Sequence, residues 1–296
     1  MAGDPQAIMR EFNPTKKFFI GIDSDGCAFD TMEIKHKECF IPNIIKHWRL
    51  QAVSKYAREA GEFVNLYSRW RGINRFPALI MVFDLLKERD EVNRRNVTPP
   101  IAQPIRDWIK RESKLGNPTL KAEVEKTKDP VLTQALEWSL AVNESVEDIV
   151  FGVPPFPFVR ESLERMAASA DVMCVSATPG EALVREWQEH DIAKHACIIA
   201  GQEMGSKKQH IALTAGGKYD ADKILMIGDA PGDMDAAKTN KALFFPVVPG
   251  REDKSWELFF NEAMDKFFKG QYAGAYEKAL IDDFLAGLPE VPPWKK

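Results

Sequence analysis

The feature that most constrains the fold is the order in which helical stretches and short apolar runs occur. After residue 158, four helical stretches alternate with the apolar runs DVMCVSAT (171–178), ACIIAG (196–201), KILMIGD (223–229) and ALFFPVV (242–248). Helices between short apolar strands require crossover connections, which produce a mainly parallel sheet covered by helices on both faces. An earlier apolar run, KFFIGID (17–23), is typical of one more buried strand.

The strand signal disappears between residues 30 and 151. Apolar residues recur there at the spacing of a helix, for example at Ile41, Ile44, Ile45 and Trp48 and again at Leu79, Val82, Phe83 and Leu86. A proline-rich connector, GVPPFPF (152–158), follows. The sequence therefore predicts a discontinuous α/β domain (1–30 and 153–250), an inserted all-helical domain (31–152) and a C-terminal helical extension packed on the core (251–296).

Composition narrows the class of protein. With 45% hydrophobic and 28% charged residues the chain is typical of a soluble globular protein, and a net charge of −4 gives no general attraction to nucleic acid or anionic membranes. The most apolar stretch (76–86) is too short to span a bilayer. The start, MAGDPQAIMREFNP, lacks the features of a signal peptide, and the four cysteines lack a metal or CxxC spacing. We therefore expect a cytoplasmic protein with reduced thiols.

The first strand ends on two acids at the edge where open parallel sheets bind their ligands. Asp23 and Asp25 lie two residues apart, so an extended chain projects both to one side. Gly26 lets the backbone approach a ligand closely. A DxDG run also opens calcium-binding loops, but Cys27 and Ala28 stand where such a loop needs an acid or amide and a glycine. A calcium loop is therefore excluded.

Later segments add groups of the same kind. Ser176 ends the second strand and could donate to a phosphoryl oxygen, although a serine there more often caps the next helix. Asp229 and Asp233 lie in a Gly/Pro loop after the fourth strand, which suits a hard cation or, taken alone, a helix-capping turn. The segment GSKKQHI (205–211) begins a helix with two lysines, which do not complement the helix dipole. A lysine that points inward would neutralise phosphate oxygens, and a solvated lysine is the alternative.

The set as a whole resembles a known family. The runs FIGIDSDG, MCVSAT, the lysine of GSKKQHI, and LMIGDAPGD are similar to the four motifs of the haloacid dehalogenase (HAD) superfamily, hhhDxDG, hhhS/T, K and hhhGDxxxD. The resemblance covers residues 17–30 and 153–250, about two fifths of the chain. It implies a Rossmann-like HAD core in which the helical insert is a first-position cap. Phosphatases and sugar-phosphate mutases of the superfamily keep an acid at the position of Asp25, whereas its dehalogenases and phosphonate-cleaving members do not.

The resemblance also implies a role for each motif residue. Asp23 would be the nucleophile that forms an aspartyl-phosphate, and Asp25 would act as general acid and then as general base. Ser176 and Lys207 would bind the transferring oxygens. Mg²⁺ would be held by Asp23, the backbone carbonyl of Asp25, Asp229 and Asp233.

Two departures from the family pattern leave choices open. No proline follows the motif lysine, so either Lys207 or Lys208 could serve; Lys207 is favoured because Ile211 then falls one helical turn on, facing the sheet. Cys27 stands where the family often has threonine, so its thiol could be a reactive neighbour of the site.

Within the cap, the segment RWRGINRFP (69–77) breaks the helical pattern at Gly72. Arg71 and Arg75 could grip a second anionic group of the substrate, and an ordinary solvated turn is the alternative. The predicted substrate-binding residues are Gly26, Ala177, Arg71 and Arg75.

The sequence thus predicts an Mg²⁺-dependent phosphatase that acts on a small phosphorylated metabolite, with no nucleic-acid or membrane partner; a homodimer is possible. Two alternatives stay open. A sugar-phosphate mutase would use the same acids but transfer the phosphate to a second hydroxyl. A non-catalytic binding protein would share the fold, but it would have no reason to keep so dense a cluster of acids.

Overall fold

The computed structural model of the protein describes residues 4–295. Its chain divides into two compact units: one comprises the chain up to Thr31 together with Gly152–Leu288, and the other comprises Met32–Phe151 with the residues from Pro289 onward. The sequence placed the whole stretch 251–296 with the α/β core. The structure instead groups residues 289–295 with the helical unit.

A five-stranded parallel sheet forms the centre of the first unit. Its strands are β1 (Phe18–Ile22), β2 (Ala170–Val175), β3 (Ile198–Ala200), β4 (Ile224–Gly228) and β5 (Leu243–Pro246). They lie in the order β3-β2-β1-β4-β5, so β1 is central, between β2 and β4. The predicted α/β class with a parallel sheet is confirmed, and each of the five apolar runs forms one strand.

The helices cover this sheet and build the second unit. In chain order the α-helices are α1 (Ala7–Arg10), α2 (Thr31–Ile34), α3 (Ile41–His47), α4 (Ser54–Asn65), α5 (Arg75–Lys87), α6 (Asp90–Asn93), α7 (Gln103–Arg111), α8 (Asn117–Thr127), α9 (Pro130–Ile149), α10 (Val159–Met166), α11 (Gly180–Glu189), α12 (Lys207–Thr214), α13 (Pro231–Thr239), α14 (Glu252–Leu258), α15 (Met264–Phe268) and α16 (Ala275–Ala286). A π-helical segment, Lys35–Phe40, joins α2 to α3. Residues 32–151, all of them described, form helices and turns without a strand.

Successive residues of β1 enter different layers, because side chains on a strand alternate between its faces. Ile20 packs in one layer with Trp187 of α11, whereas Phe19 packs in the opposite layer with Ile211 of α12 and Phe284 of α16. Three aromatic residues of the predicted C-terminal extension are buried in the first of these layers: Trp256, Phe259 and Phe267. Both faces of the sheet are therefore covered.

The helical unit has a separate core rich in large aromatic side chains. Phe76 packs edge-on against Trp108 and Trp138, with ring centroids 5.0 Å and 6.1 Å away. Phe83 and Trp48 form a similar pair at 5.0 Å. Among the described residues, no helix combines the length and apolarity that crossing a membrane requires.

Candidate active site

The strand order brings the predicted motifs to one edge of the sheet. Hydrogen bonding continues one residue beyond β1, since the N–H of Asp23 donates to the carbonyl of Ile227 in β4 at 3.0 Å. On the other side of β1, the N–H of Ser176 donates to the carbonyl of Ala200 at the end of β3, also at 3.0 Å. The carboxyl ends of β1, β2 and β4 therefore meet at this edge, as expected for a ligand site in a parallel sheet.

Three carboxylates form a buried cluster at this edge. Asp23, Asp229 and Asp233 each offer one oxygen, and the three oxygens lie within 4.8 Å of one another. All three side chains are buried. Carboxylate oxygens at this spacing are the ligand set that a hard divalent cation prefers.

Asp233 is fixed by the loop that leads into α13. Its Oδ2 accepts hydrogen bonds from the backbone N–H groups of Asp229 (3.2 Å) and Ala230 (3.1 Å). These are N–H groups at the start of a helix, which would otherwise lack a partner. The second acid of the GDxxxD run thus shapes the loop that carries the first one.

Lys207, rather than Lys208, reaches the cluster. Its Nζ donates to Oδ2 of Asp23 and to Oδ1 of Asp233, both at 2.6 Å. Lys208 is exposed on the next position of α12. The side chain of Ile211 is buried against the sheet, one turn after Lys207, which is the geometry expected from the sequence.

The charges of the cluster act on one another. Burial raises the pKa of Asp23 well above its ordinary value; Lys207 opposes this shift, while Asp233 and Asp229 add to it. Burial lowers the pKa of Lys207, but Asp23 and Asp233 outweigh it, so the net pKa lies above the ordinary range. One lysine facing three acids leaves an excess of negative charge in a buried site, which is costly unless a cation compensates it. The residues present therefore fit a divalent metal ion.

Asp25 occupies a different position from the three clustered acids. Its Oδ2 accepts a hydrogen bond from the hydroxyl of Thr178 at 2.6 Å, and its Oδ1 accepts one from the hydroxyl of Thr31. Neither threonine was predicted from the sequence. Thr178 lies two residues after Ser176, in the loop that follows β2, and the same spacing of two residues that linked Asp23 to Asp25 could have identified it.

The remaining residues predicted at the sheet edge are present in the same loops. Ser176 is buried, and its Oγ accepts the N–H of Thr178 at 3.2 Å. Ala177 is exposed beside it. Gly26 has φ +76°, a left-handed conformation that favours glycine, and its N–H donates to the carbonyl of Phe29 at 2.8 Å. Gly26 thus closes a tight turn after the acid pair, and its contact with substrate stays a prediction.

The two predicted arginines belong to the helical unit. Arg71 is buried, and its Nη1 donates to the carbonyl of Leu66 at 2.9 Å. Arg75 donates from Nη1 to the carbonyl and hydroxyl of Ser139 (3.1 and 3.0 Å) and to Asn143 (2.7 Å). Burial lowers the pKa of Arg75 to about 10. These contacts give Arg75 a role in joining helices α5 and α9, and the substrate role of both arginines stays a prediction.

The thiol of Cys27 is fully buried beside the site. Burial raises its pKa well above the ordinary value, and the nearby Asp229, Asp23 and Asp233 add to the shift. The thiolate is the reactive form of cysteine, so this environment favours an inert thiol.

No family model matches the chain, and no curated protein matches it. Solved structures that resemble it include a haloacid dehalogenase-like hydrolase from Streptococcus pneumoniae (12% identity, TM-score 0.44, covering 82% of this chain and 92% of that one). Another is a HAD-superfamily hydrolase from Geobacter sulfurreducens (12% identity, TM-score 0.39, 79% and 89% coverage). A third is a HAD-superfamily hydrolase from Ehrlichia chaffeensis (12% identity, TM-score 0.38, 79% and 89% coverage). Likenesses at this level say nothing of the activity, for which this chain's own residues supply the argument.

Proposed function

We propose that the protein is a Mg²⁺-dependent phosphatase of the HAD type that hydrolyses small phosphate monoesters through an aspartyl-phosphate. The observation that carries this proposal is the cluster itself: three buried carboxylates at the sheet edge, with Lys207 bridging Asp23 and Asp233. A second acid, Asp25, follows Asp23 by two residues and is held by hydroxyls. The set provides a nucleophile, a cation site and a proton carrier together.

In the first proposed step, a carboxylate oxygen of Asp23 attacks the phosphorus of the ester. The bond between phosphorus and the ester oxygen breaks, and the departing oxygen takes a proton from Asp25. Lys207 and Ser176 bind the oxygens of the transferring group. Mg²⁺, when bound by Asp23 and Asp229, would neutralise the charge of the attacking carboxylate and of the phosphate.

In the second proposed step, Asp25 removes a proton from a water molecule, which attacks the phosphorus of the aspartyl-phosphate. The bond between phosphorus and the Asp23 oxygen breaks, inorganic phosphate leaves, and Asp23 is regenerated. Thr178 and Thr31 support both steps because their hydroxyl groups orient the carboxylate of Asp25. The substrate class, a small phosphorylated metabolite, follows from analogy with capped members of the superfamily.

The proposal is tested by release of p-nitrophenol and inorganic phosphate from p-nitrophenyl phosphate, with and without Mg²⁺. We expect metal-dependent release that falls by about a thousandfold or more in Asp23→Asn, which lacks the nucleophile. Asp235→Asn is the matched control, because Asp235 is an exposed acid on the same helix as Asp233. Release that does not depend on the metal, or an active Asp23→Asn variant, would contradict the proposal.

The covalent intermediate has a separate test. Asp25→Asn retains the nucleophile but lacks the base for the second step, so it should accumulate label from a ³²P-labelled aryl phosphate whose leaving group needs no proton. The label should be released by hydroxylamine, as an acyl-phosphate is. Label that also appears on Asp23→Asn would place the phosphate on another residue.

A further inference from the structure

Ser24, the residue between the two acids, is fully buried in the turn that follows β1. Its side chain forms hydrogen bonds with two residues of α11. Its hydroxyl accepts from the indole N–H of Trp187 at 3.0 Å and donates to Oε2 of Glu186 at 3.0 Å. A hydroxyl can accept one hydrogen bond and donate another at the same time, and no apolar side chain at this position could form either bond.

The backbone of Ser24 organises the loop that carries the nucleophile. Its N–H donates to Oδ1 of Asp23 at 2.8 Å. Its carbonyl accepts the N–H groups of Ala28 at 2.9 Å and Phe29 at 3.1 Å. The orientation of the Asp23 carboxylate therefore depends directly on where Ser24 is held.

The last turn of α11 supplies the groups that hold Ser24. Trp187 is fully buried, and Phe29 of the same loop packs edge-on against its ring, with the centroids 6.3 Å apart. The first turn of α11 follows directly on the loop that contains Ser176 and Thr178. One helix thus connects the loop of the nucleophile with the loop that binds Asp25.

We propose that Trp187 is a positioning residue for the nucleophile, which acts by fixing Ser24 and, through the Ser24 N–H, the carboxylate of Asp23. The inference rests on the proposed function, because it assigns Asp23 to the chemistry. The hydrogen bond of the Trp187 indole goes to Ser24 and not to an acid of the cluster. Its effect should therefore fall on the rate at which Asp23 attacks and not on the affinity for substrate.

The test uses Trp187→Phe, which keeps an aromatic ring but lacks the N–H, together with Ser24→Ala and the double variant. We expect each single variant to lower kcat about tenfold with KM changed less than about threefold, because small displacements of a reacting group are costly. The double variant should lose no more than Ser24→Ala alone, since both substitutions break one path. In Ser24→Ala the indole N–H resonance of Trp187, assigned by its absence from Trp187→Phe, should shift in a ¹H–¹⁵N spectrum.

The matched control is Tyr272→Phe. It removes one buried hydrogen bond of the same unit, from the Tyr272 hydroxyl to the carbonyl of Phe244 at 2.8 Å, away from the acid cluster. This variant should lose thermal stability to a similar extent and keep the wild-type kcat. The inference would be overturned if the losses of kcat in Trp187→Phe and Ser24→Ala multiplied in the double variant. A wild-type kcat in Trp187→Phe would also overturn it, and so would an unshifted indole resonance in Ser24→Ala.

Two further outcomes separate this inference from the proposed function. If the wild type hydrolyses p-nitrophenyl phosphate in an Asp23-dependent manner and Trp187→Phe does so equally well, only the inference is wrong. If the wild type shows no Asp23-dependent hydrolysis, the proposed function is wrong and the inference falls with it. If Trp187→Phe does not fold, Ser24→Ala still tests the path, because it retains every aromatic side chain.

Discussion

Gly228, the last residue of β4, lies where the backbone and a site carboxylate come into close approach. A Cβ atom at this position would lie 2.4 Å from Cβ and 2.5 Å from Cγ of Asp233, well below any normal contact. The φ of Gly228 is not in the left-handed region, so the requirement for glycine there is steric. Gly228 allows Asp233 to fold back over the end of the strand and hold both Lys207 and the loop N–H groups.

We therefore expect Gly228→Ala to destabilise the protein by about 1–3 kcal/mol, the usual cost of overpacking, and to displace Asp233. Chemical denaturation should show the lower stability, and the rise in melting temperature on adding Mg²⁺ should shrink. Gly232→Ala is the control: a Cβ there meets nothing within 4 Å, and the position is helical. Its stability should stay equal or increase by up to about 1 kcal/mol. Equal losses of stability in Gly228→Ala and Gly232→Ala would refute the steric explanation.

At the scale of the element, helix α12 begins with a lysine at a position that is unfavourable for a positive charge. Ser206 caps the helix: its Oγ accepts the N–H of Gln209 at 3.4 Å, and Oε1 of Gln209 accepts the N–H of Ser206 at 2.9 Å. This reciprocal cap is a known stabilising arrangement. It compensates for the lysine and fixes the first turn, from which Lys207 reaches the acids.

The two lysines of α12 should differ sharply in their effect on activity. Lys207→Met should lower kcat by about a hundredfold to a thousandfold, the range seen when one charge-stabilising donor is removed. Lys208→Met should keep kcat within about twofold of the wild type, because Lys208 is exposed on the same turn. Steady-state kinetics with p-nitrophenyl phosphate measure both. A comparable loss in Lys208→Met would show that a general change of charge, and not the contact made by Lys207, is responsible.

At the scale of the whole molecule, the chain divides into two compact units, and its last described residues belong to the helical one. The guanidinium of Arg89 lies 4.5 Å from the ring centroid of Tyr56 and 4.5 Å from that of Trp294. Trp294 also packs against Phe63 at 5.7 Å. Trp294 thus packs against residues of the helical unit.

We expect Trp294→Ala to destabilise the helical unit by about 2 kcal/mol, because it removes aromatic packing and a cation–π contact. Hydrogen exchange followed by mass spectrometry should show that, relative to the wild type, exchange increases more in α4 and α5 than in β1 and β4. Lys295→Ala is the control, since its ion pair with Glu88 is exposed and such pairs contribute little. Unchanged exchange in α4 and α5 of Trp294→Ala would mean that the tail does not stabilise this unit.

The sequence by itself determined the strands, the helical insert and the residue types at the sheet edge. Each of these rests on local patterns: the apolar run before Asp23 and the helical spacing around Ile41 are visible without any long-range contact. That Asp23 and Asp25 address one site stays a prediction from their spacing of two residues.

Only the tertiary structure decided which groups meet. The position of β1 between β2 and β4 places Asp23 beside the Asp229 loop, and the orientation of α12 selects Lys207 over its neighbour. Thr178 acquires its role from its contact with Asp25, and Trp187 from its contact with Ser24. Each contact joins residues more than 150 positions apart in the sequence. The physical reason is that strand order and helix rotation depend on how whole layers pack, and no local pattern contains that information.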